Sequence, residues 1–305
     1  MKQYVMFLLG VLVFVACSGN GDSSDDSGSG TPDIAALEQS AETNPTADNL
    51  KALVEAYKSA VAANPDAHDL NSEYLFKAAT TLFKMNRFTG AANLLKEALK
   101  DHYAGKNTAN NILFLGTIYK DKIKNESAAA TTYQCFLEAF PNHEKAEAIR
   151  KDYGNLPDFE TRLKELGARM LNDSTHRIDF HVANDFMNDC ELFALILPQN
   201  PKAADYLHKA GEAARSVKLF DKAITYYQWI YDRYPNHPKA SQSLFLMAFT
   251  YDNDKKDYDK ARQLYTEFLE KYPNDDFADD TKFLLENLGK NDEEIIQTFD
   301  KKQAG

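Results

Sequence analysis

The chain has 305 residues, 44% hydrophobic and 27% charged, which is enough apolar material for a sizeable core in one or two domains. Its formal net charge of −11 argues against nucleic acid as a partner, because such binding rests on Lys and Arg neutralising phosphates. Acidity of this kind bears on solubility and partner choice and leaves the fold to be read from pattern.

Residues 1–16 carry one basic residue, Lys2, and an apolar run from Val5 to Ala16. That run is shorter than the roughly 20 residues a bilayer-spanning helix needs, and it fits a cleaved secretory signal. The tetrad Phe14-Val15-Ala16-Cys17 resembles the lipobox of bacterial lipoproteins, with Phe14 where Leu is usual. The resemblance implies that Cys17 carries the lipid, palmitate among its acyl chains, and becomes the mature N-terminus, with a net charge of −12 once Lys2 has left. More than one acyl chain gives stable attachment to a membrane. Residues 17–33 are rich in Gly, Ser and Asp without apolar periodicity, the composition of a flexible tether.

The folded body begins with N-terminal helices and two hairpins over residues 34–156. Leu50, Leu53, Val54, Tyr57 and Val61 form the stripe of an amphipathic helix bracketed by Asn44-Pro45 and Asn64-Pro65. Leu70 to Tyr103 reads as a helix hairpin broken at Asn86-Arg87, and a second hairpin closes on Phe140-Pro141-Asn142. Over residues 157–201 the pattern loosens. Phe159, Leu163, Leu166 and Met170 suggest one helix, and Ile178, Val182, Phe186, Cys190, Phe193 and Leu197 another, without a small-residue signature; this is a divergent or inserted hairpin. Residues 202–276 hold two copies of one pattern, KLFDKAITYYQWIYDRYPNHPKA from Lys218 and KDYDKARQLYTEFLEKYPNDDFA from Lys256, 38 positions apart. Residues 277–305 supply capping helices: one over Phe277 to Leu288, and a last one from Asn291 with Ile295, Ile296 and Phe299 on its face. No segment alternates with period two long enough for a strand, so the expected fold is all-α. Cys135 and Cys190 lie on apolar helix faces and read as buried free thiols.

Self-similarity at such a period marks a helical repeat array. The units resemble tetratricopeptide repeats through Leu207, Gly211, Ala223, Tyr227 and Pro235; through Leu244, Ala248, Tyr251, Ala261, Tyr265, Phe268 and Pro273; through Leu115, Gly116, Tyr119, Ala129, Tyr133, Phe136 and Pro141; and through Leu75, Ala79, Leu82, Ala91, Leu95 and Ala98. Loop insertions lengthen two of the four units. The resemblance implies a right-handed solenoid of antiparallel hairpins, with Gly211 or Ala248 facing Ala223 or Ala261 where the helices cross. The Tyr-Pro-Asn and Phe-Pro-Asn closures look like those of bacterial envelope lipoproteins, such as the lipoprotein of the outer-membrane β-barrel assembly complex and the periplasmic coordinator of the Tol-Pal system.

Several constellations have structural explanations. His143 and His237 follow Pro-Asn in equivalent turns, so repetition explains them without a metal, and His176 and His181 are five apart, off the spacing of one helix face. The acidic run from Asp252 to Lys260 lacks the turn glycine and bidentate Glu of a calcium loop. No cofactor, metal or catalytic residue is expected. If the first helix of each unit lines a concave face, the partner-binding residues are Asn110, Leu113, Thr117 and Lys120; Asp205, His208, Glu212 and Arg215; and Gln242, Phe245, Phe249 and Asp252. Phe245 and Phe249 would hold a partner's apolar side chain and the acids its basic flanks, unless the array curls so that its own N-terminal helices cover them.

The expected function is a membrane-anchored, non-catalytic scaffold for other envelope proteins or peptide segments, in outer-membrane assembly or maintenance. It would face the periplasm, with surface display as the other orientation. The alternative is a glycan- or peptide-binding lipoprotein partnering an outer-membrane transporter.

Overall fold

The computed structural model describes residues 33–172, 177–290 and 293–294. Cys17, the signal, most of the tether, His176 and the expected last helix with Ile295, Ile296 and Phe299 lie outside them. The regular secondary structure of the described residues is helical apart from one antiparallel ladder, β1 (Leu171–Asn172) paired with β2 (Arg177–Ile178).

The N-terminal helices are α1 (Ile34–Thr43) and α2 (Ala47–Ala63), capped by Asp33 and Thr46, whose side chains accept from Ala36 and Asn49 N–H. Two hairpins follow: α3 (His68–Lys84) with α4 (Phe88–Asp101), and α5 (Thr108–Thr117) with α6 (Glu126–Ala139). A short helix, α7 (Ala146–Tyr153), closes this N-terminal array. The C-terminal array comprises α8 (Phe159–Met170) with α9 (Phe180–Ile196), α10 (Ala203–Ser216) with α11 (Phe220–Arg233), and α12 (Lys239–Phe249) with α13 (Tyr258–Lys271), closed by α14 (Ala278–Glu286).

Where the helices of a hairpin cross, two units carry Ala79 and Ala248 and two carry glycine. A Cβ on Gly116 would stand 2.7 Å from the Tyr133 ring, and one on Gly211 would stand 2.4 Å from the Tyr227 ring. The aromatic of the second helix, more than the expected Ala223, is thus what Gly211 faces. Cys135 and Cys190 are buried free thiols, as expected, and burial pushes both up from their ordinary values.

The insertions that lengthen two units lie in helix, not loop. Twelve residues separate Ala79 from Ala91 and Gly211 from Ala223, but thirteen separate Gly116 from Ala129 and Ala248 from Ala261. In the two longer units the first helix ends in a π turn, Ile118–Ile123 or Thr250–Lys255, which absorbs the extra residue. All four helices then stop on a left-handed residue: Asn86, Lys124, Lys218 and Lys256, with φ of 58°, 61°, 62° and 57°.

The pair α8–α9, expected to be a divergent or inserted hairpin, is a helix hairpin that keeps part of the repeat's spacing. Leu163, Leu166, Gly167 and Met170 keep the spacing of the first helix, and Ala183 stands three residues into α9 as Ala223 does into α11. Gly167 to Ala183 spans sixteen residues because the β1–β2 ladder lengthens the connection, and this displacement hid the signature. The pair ends on the common closing turn. There the carbonyls of His102, Phe140, Leu197, Tyr234 and Tyr272 each accept from the N–H three residues on, and that residue's carbonyl accepts from the N–H three further, at 2.8–3.2 Å. At the middle position His143, Asn200, His237 and Asp275 use a side-chain atom to accept the N–H two residues on, at 3.0–3.2 Å. That capping is the task of His143 and His237.

The arrays meet through their second helices. The helix α9 packs on α4, α6, α8 and α10 and carries a polar stripe into the junction. Lys96 of α4 pairs with Glu191 at 2.7 Å, Asn125 donates to Asp185 at 2.7 Å, and Tyr103 donates to the Ile196 carbonyl at 2.7 Å. Further along the seam Asp101 of α4 pairs with Arg233 of α11 at 2.9 Å.

Candidate functional site

The twelve expected residues fall on two separate faces, not one groove. Asn110, Leu113, Thr117 and Lys120 lie on α5 and its π turn, which pack with α4 and α6. The other eight lie on α10, α12 and the second π turn, which pack with α9, α11 and α13. The physical reason is the junction just described: α9 docks on second helices, so the first-helix faces of the two arrays do not run on into each other.

On the first face Asn110 is exposed, and Leu113, Thr117 and Lys120 are half-buried. The Thr117 hydroxyl is 3.4 Å from that of Tyr133, and Lys120 Nζ is 3.6 Å from Asp152. On the second face Glu212 is exposed, while Asp205, Arg215, Gln242, Phe249 and Asp252 are half-buried. The Arg215 guanidinium lies 5.1 Å from the Phe249 ring centroid and donates through Nε and Nη2 to Asp254 Oδ2 at 3.1 and 2.9 Å. The Asp252 carboxylate accepts from Tyr265 at 3.3 Å, and burial pushes it up from its ordinary value.

Two expected contact residues are corrected. His208 is only 3% exposed, because its ring sits against Tyr227; its Nδ1 is 3.5 Å from Glu212, whose carboxyl is held down by that hydrogen bond. Phe245 is 9% exposed, and the helices covering it are C-terminal, not N-terminal. Phe277, from the turn before α14, stacks on it with centroids 4.8 Å apart, and Phe268 meets it edge-on at 6.1 Å. The signal lay in the turns: Phe277 occupies the place held by Asn107, Lys145, Lys202 and Lys239 in the others.

Sequence reasoning missed the charged groups of the junction. Asp189 is 1% exposed; it accepts from Ser127 at 2.6 Å, and Arg162 stands 3.8 Å away. Arg162 makes its closer bonds to Gln134 at 2.9 Å and Thr131 at 3.0 Å, so Asp189 is weakly compensated, its Oδ1 has no partner among the described residues, and burial pushes its carboxyl up to about 6. Burial acts on Lys96 and Glu191 too, but their mutual attraction outweighs it, raising the amine and lowering the carboxyl. Spacing along α9 gave no hint of these partners, which come from α4, α6 and α8.

Among the described residues no group of three or more His, Cys, Asp or Glu stands close enough to hold a metal ion, and no helix is long and apolar enough to cross a membrane. No curated protein matches the chain. Residues 242–275, the last full unit with most of the α12 face, match the tetratricopeptide repeat family. That segment therefore resembles a tetratricopeptide repeat, and the helices around it form an all-α helical-repeat solenoid.

Proposed function

We propose that the protein is a non-catalytic scaffold, lipid-anchored at Cys17 to the bacterial outer membrane and facing the periplasm, where it holds segments of other envelope proteins during outer-membrane assembly or maintenance. The anchor part of the proposal rests on Phe14-Val15-Ala16-Cys17 and the tether-like composition after it. One observation carries the interaction part. The residues that the last two full units share, such as Ala223, Ala261, Tyr227 and Tyr265, are buried in packing, whereas Asp205, Glu212, Gln242, Phe249 and Asp252, which differ between them, lie at one accessible acidic face. A partner segment with basic flanks and an apolar side chain to set beside Phe249 suits it.

The alternative of glycan capture gains nothing from Trp229, which is 7% exposed and lies under Lys100 in the junction. In vivo photocrosslinking from Gln242 and Phe249, in place of the buried Phe245, tests the reading. A discrete protein adduct is expected; adducts confined to lipid, or none at either position, would sink it. For the anchor, palmitate labelling should disappear in Cys17→Ala.

A further inference from the structure

The two π turns end equivalent helices with opposite charge. In register from Gly116 and Ala248, Lys120 stands where Asp252 stands, and Lys122 where Asp254 stands. The carboxylates of the second turn are engaged within the chain, Asp252 by Tyr265 and Asp254 by Arg215. The ammonium groups of the first are largely available. Lys122 is exposed, lies 5.4 Å from the ring centroids of both Phe83 and Phe88, and makes no ion pair among the described residues. Lys120 is half-buried, with its ammonium 5.3 Å from the Tyr153 ring centroid, and its contact with the exposed Asp152 at 3.6 Å is worth little.

Beside these cations runs an apolar strip on α3 and α5. Phe114 packs against Phe76 and Phe83 at centroid distances of 5.7 and 5.3 Å, and these three with Leu113 are half-buried. An open depression lined by Arg87, Phe88, Gly90, Lys122 and Ile123 continues the strip. A cation kept over aromatic faces retains its net charge, so the strip pairs apolar contact with positive potential in a chain whose net charge is −11.

We propose that this face of α3, α5 and the first π turn is a second docking surface, and that its occupant is an acidic segment of a partner protein with aliphatic or aromatic side chains between its carboxylates. Charge complementarity sets the sign and the half-buried rings require the apolar residues. The chain's own Ser18 to Asp33 is acidic but has no aliphatic or aromatic side chain beyond one proline to fill the strip. The surface is distinct from that on α10 and α12, so failure of crosslinking there leaves it standing.

The test uses the full chain and two fluorescein-labelled peptides with Leu and Phe at every third or fourth position, the remaining positions Glu in one and Lys in the other. Fluorescence anisotropy should give the Glu peptide an affinity at least about tenfold higher, falling with added salt. The pair Lys120→Glu and Lys122→Glu should weaken it by roughly tenfold, while Phe249→Ala on the other face leaves it unchanged. Circular dichroism checks that each variant is folded. Equal affinity for the two peptides, or no change in the double variant, would overturn the proposal. So would markedly tighter binding by a chain starting at residue 34, which would make the N-terminal acidic segment the occupant.

Discussion

The N-terminal and C-terminal arrays use one unit and one closing turn, yet their outward faces differ while the faces they turn to each other cooperate. Outward, the first array presents phenylalanines edged by Lys120 and Lys122, and the second presents carboxylates with Arg215 drawn onto Phe249. Inward, α4 and α6 supply Lys96, Asn125 and Ser127 to a stripe of acids and amides on α9. A repeat protein stacked only on nearest neighbours has no such seam, and its stability is approximately a sum of local contributions. Here the seam couples helices far apart in sequence, so the two arrays should unfold together.

Breaking the seam has the broadest expected effect. Lys96→Met leaves the half-buried Glu191 with only Tyr226, among the described residues, to donate to it, at 3.0 Å, and should destabilise the protein by about 2 kcal/mol. Urea denaturation should also show whether the transition splits in two, which would mean that the seam alone had held the arrays as one cooperative body.

The second effect concerns pH. The Asp189 carboxyl, raised to about 6 in the folded state, holds a proton more tightly there than when unfolded. Its contribution to stability is therefore full below the ordinary carboxylate range, near pH 4, and is lost as pH rises through about 6. Asp189→Asn cannot titrate, so the stability of the native protein relative to this variant should fall by about 2 to 3 kcal/mol between pH 4 and pH 7. Parallel curves would mean that Arg162 neutralises Asp189 fully.

A smaller effect sharpens the comparison of helix ends. Lys218 holds φ of 62° in a short unit and Lys124 φ of 61° in a π-turn unit. Glycine bears that conformation without Cβ strain, so Lys218→Gly and Lys124→Gly should each stabilise by up to about 1 kcal/mol. A gain at Lys218 alone would indicate that the π turn already relieves its end of the helix.

Much of the fold was legible because packing at a helix crossing dictates residue size, so Gly116, Gly211 and their aromatic partners stand out in the sequence. The two helices of the α8–α9 pair were legible from Phe159, Leu163, Leu166 and Met170 and from Val182 to Leu197, but their kinship to the other units was not, because the ladder shifts Ala183 out of phase with Gly167. The lengthened units were visible as unequal spacing, but spacing does not say whether an extra residue enters a loop or a π turn. Of the candidate site, the helices and the outward positions follow from the crossing residue. The cover over Phe245 does not, since it depends on Phe277, more than thirty residues away in a turn that elsewhere carries Asn or Lys. Nor does the division into two faces, which arises from long-range contacts of α9 that leave no periodic trace.

The single tryptophan, Trp229, sits where α11 meets α4, with the Lys100 ammonium 5.0 Å from its ring. The protein thus has an intrinsic fluorophore at one defined seam. Opening that seam would wet the indole and shift its emission to the red, while events confined to either outward face would leave it unchanged. Steady-state emission therefore separates ligands that merely occupy a face from those that pry the arrays apart, without any label being introduced.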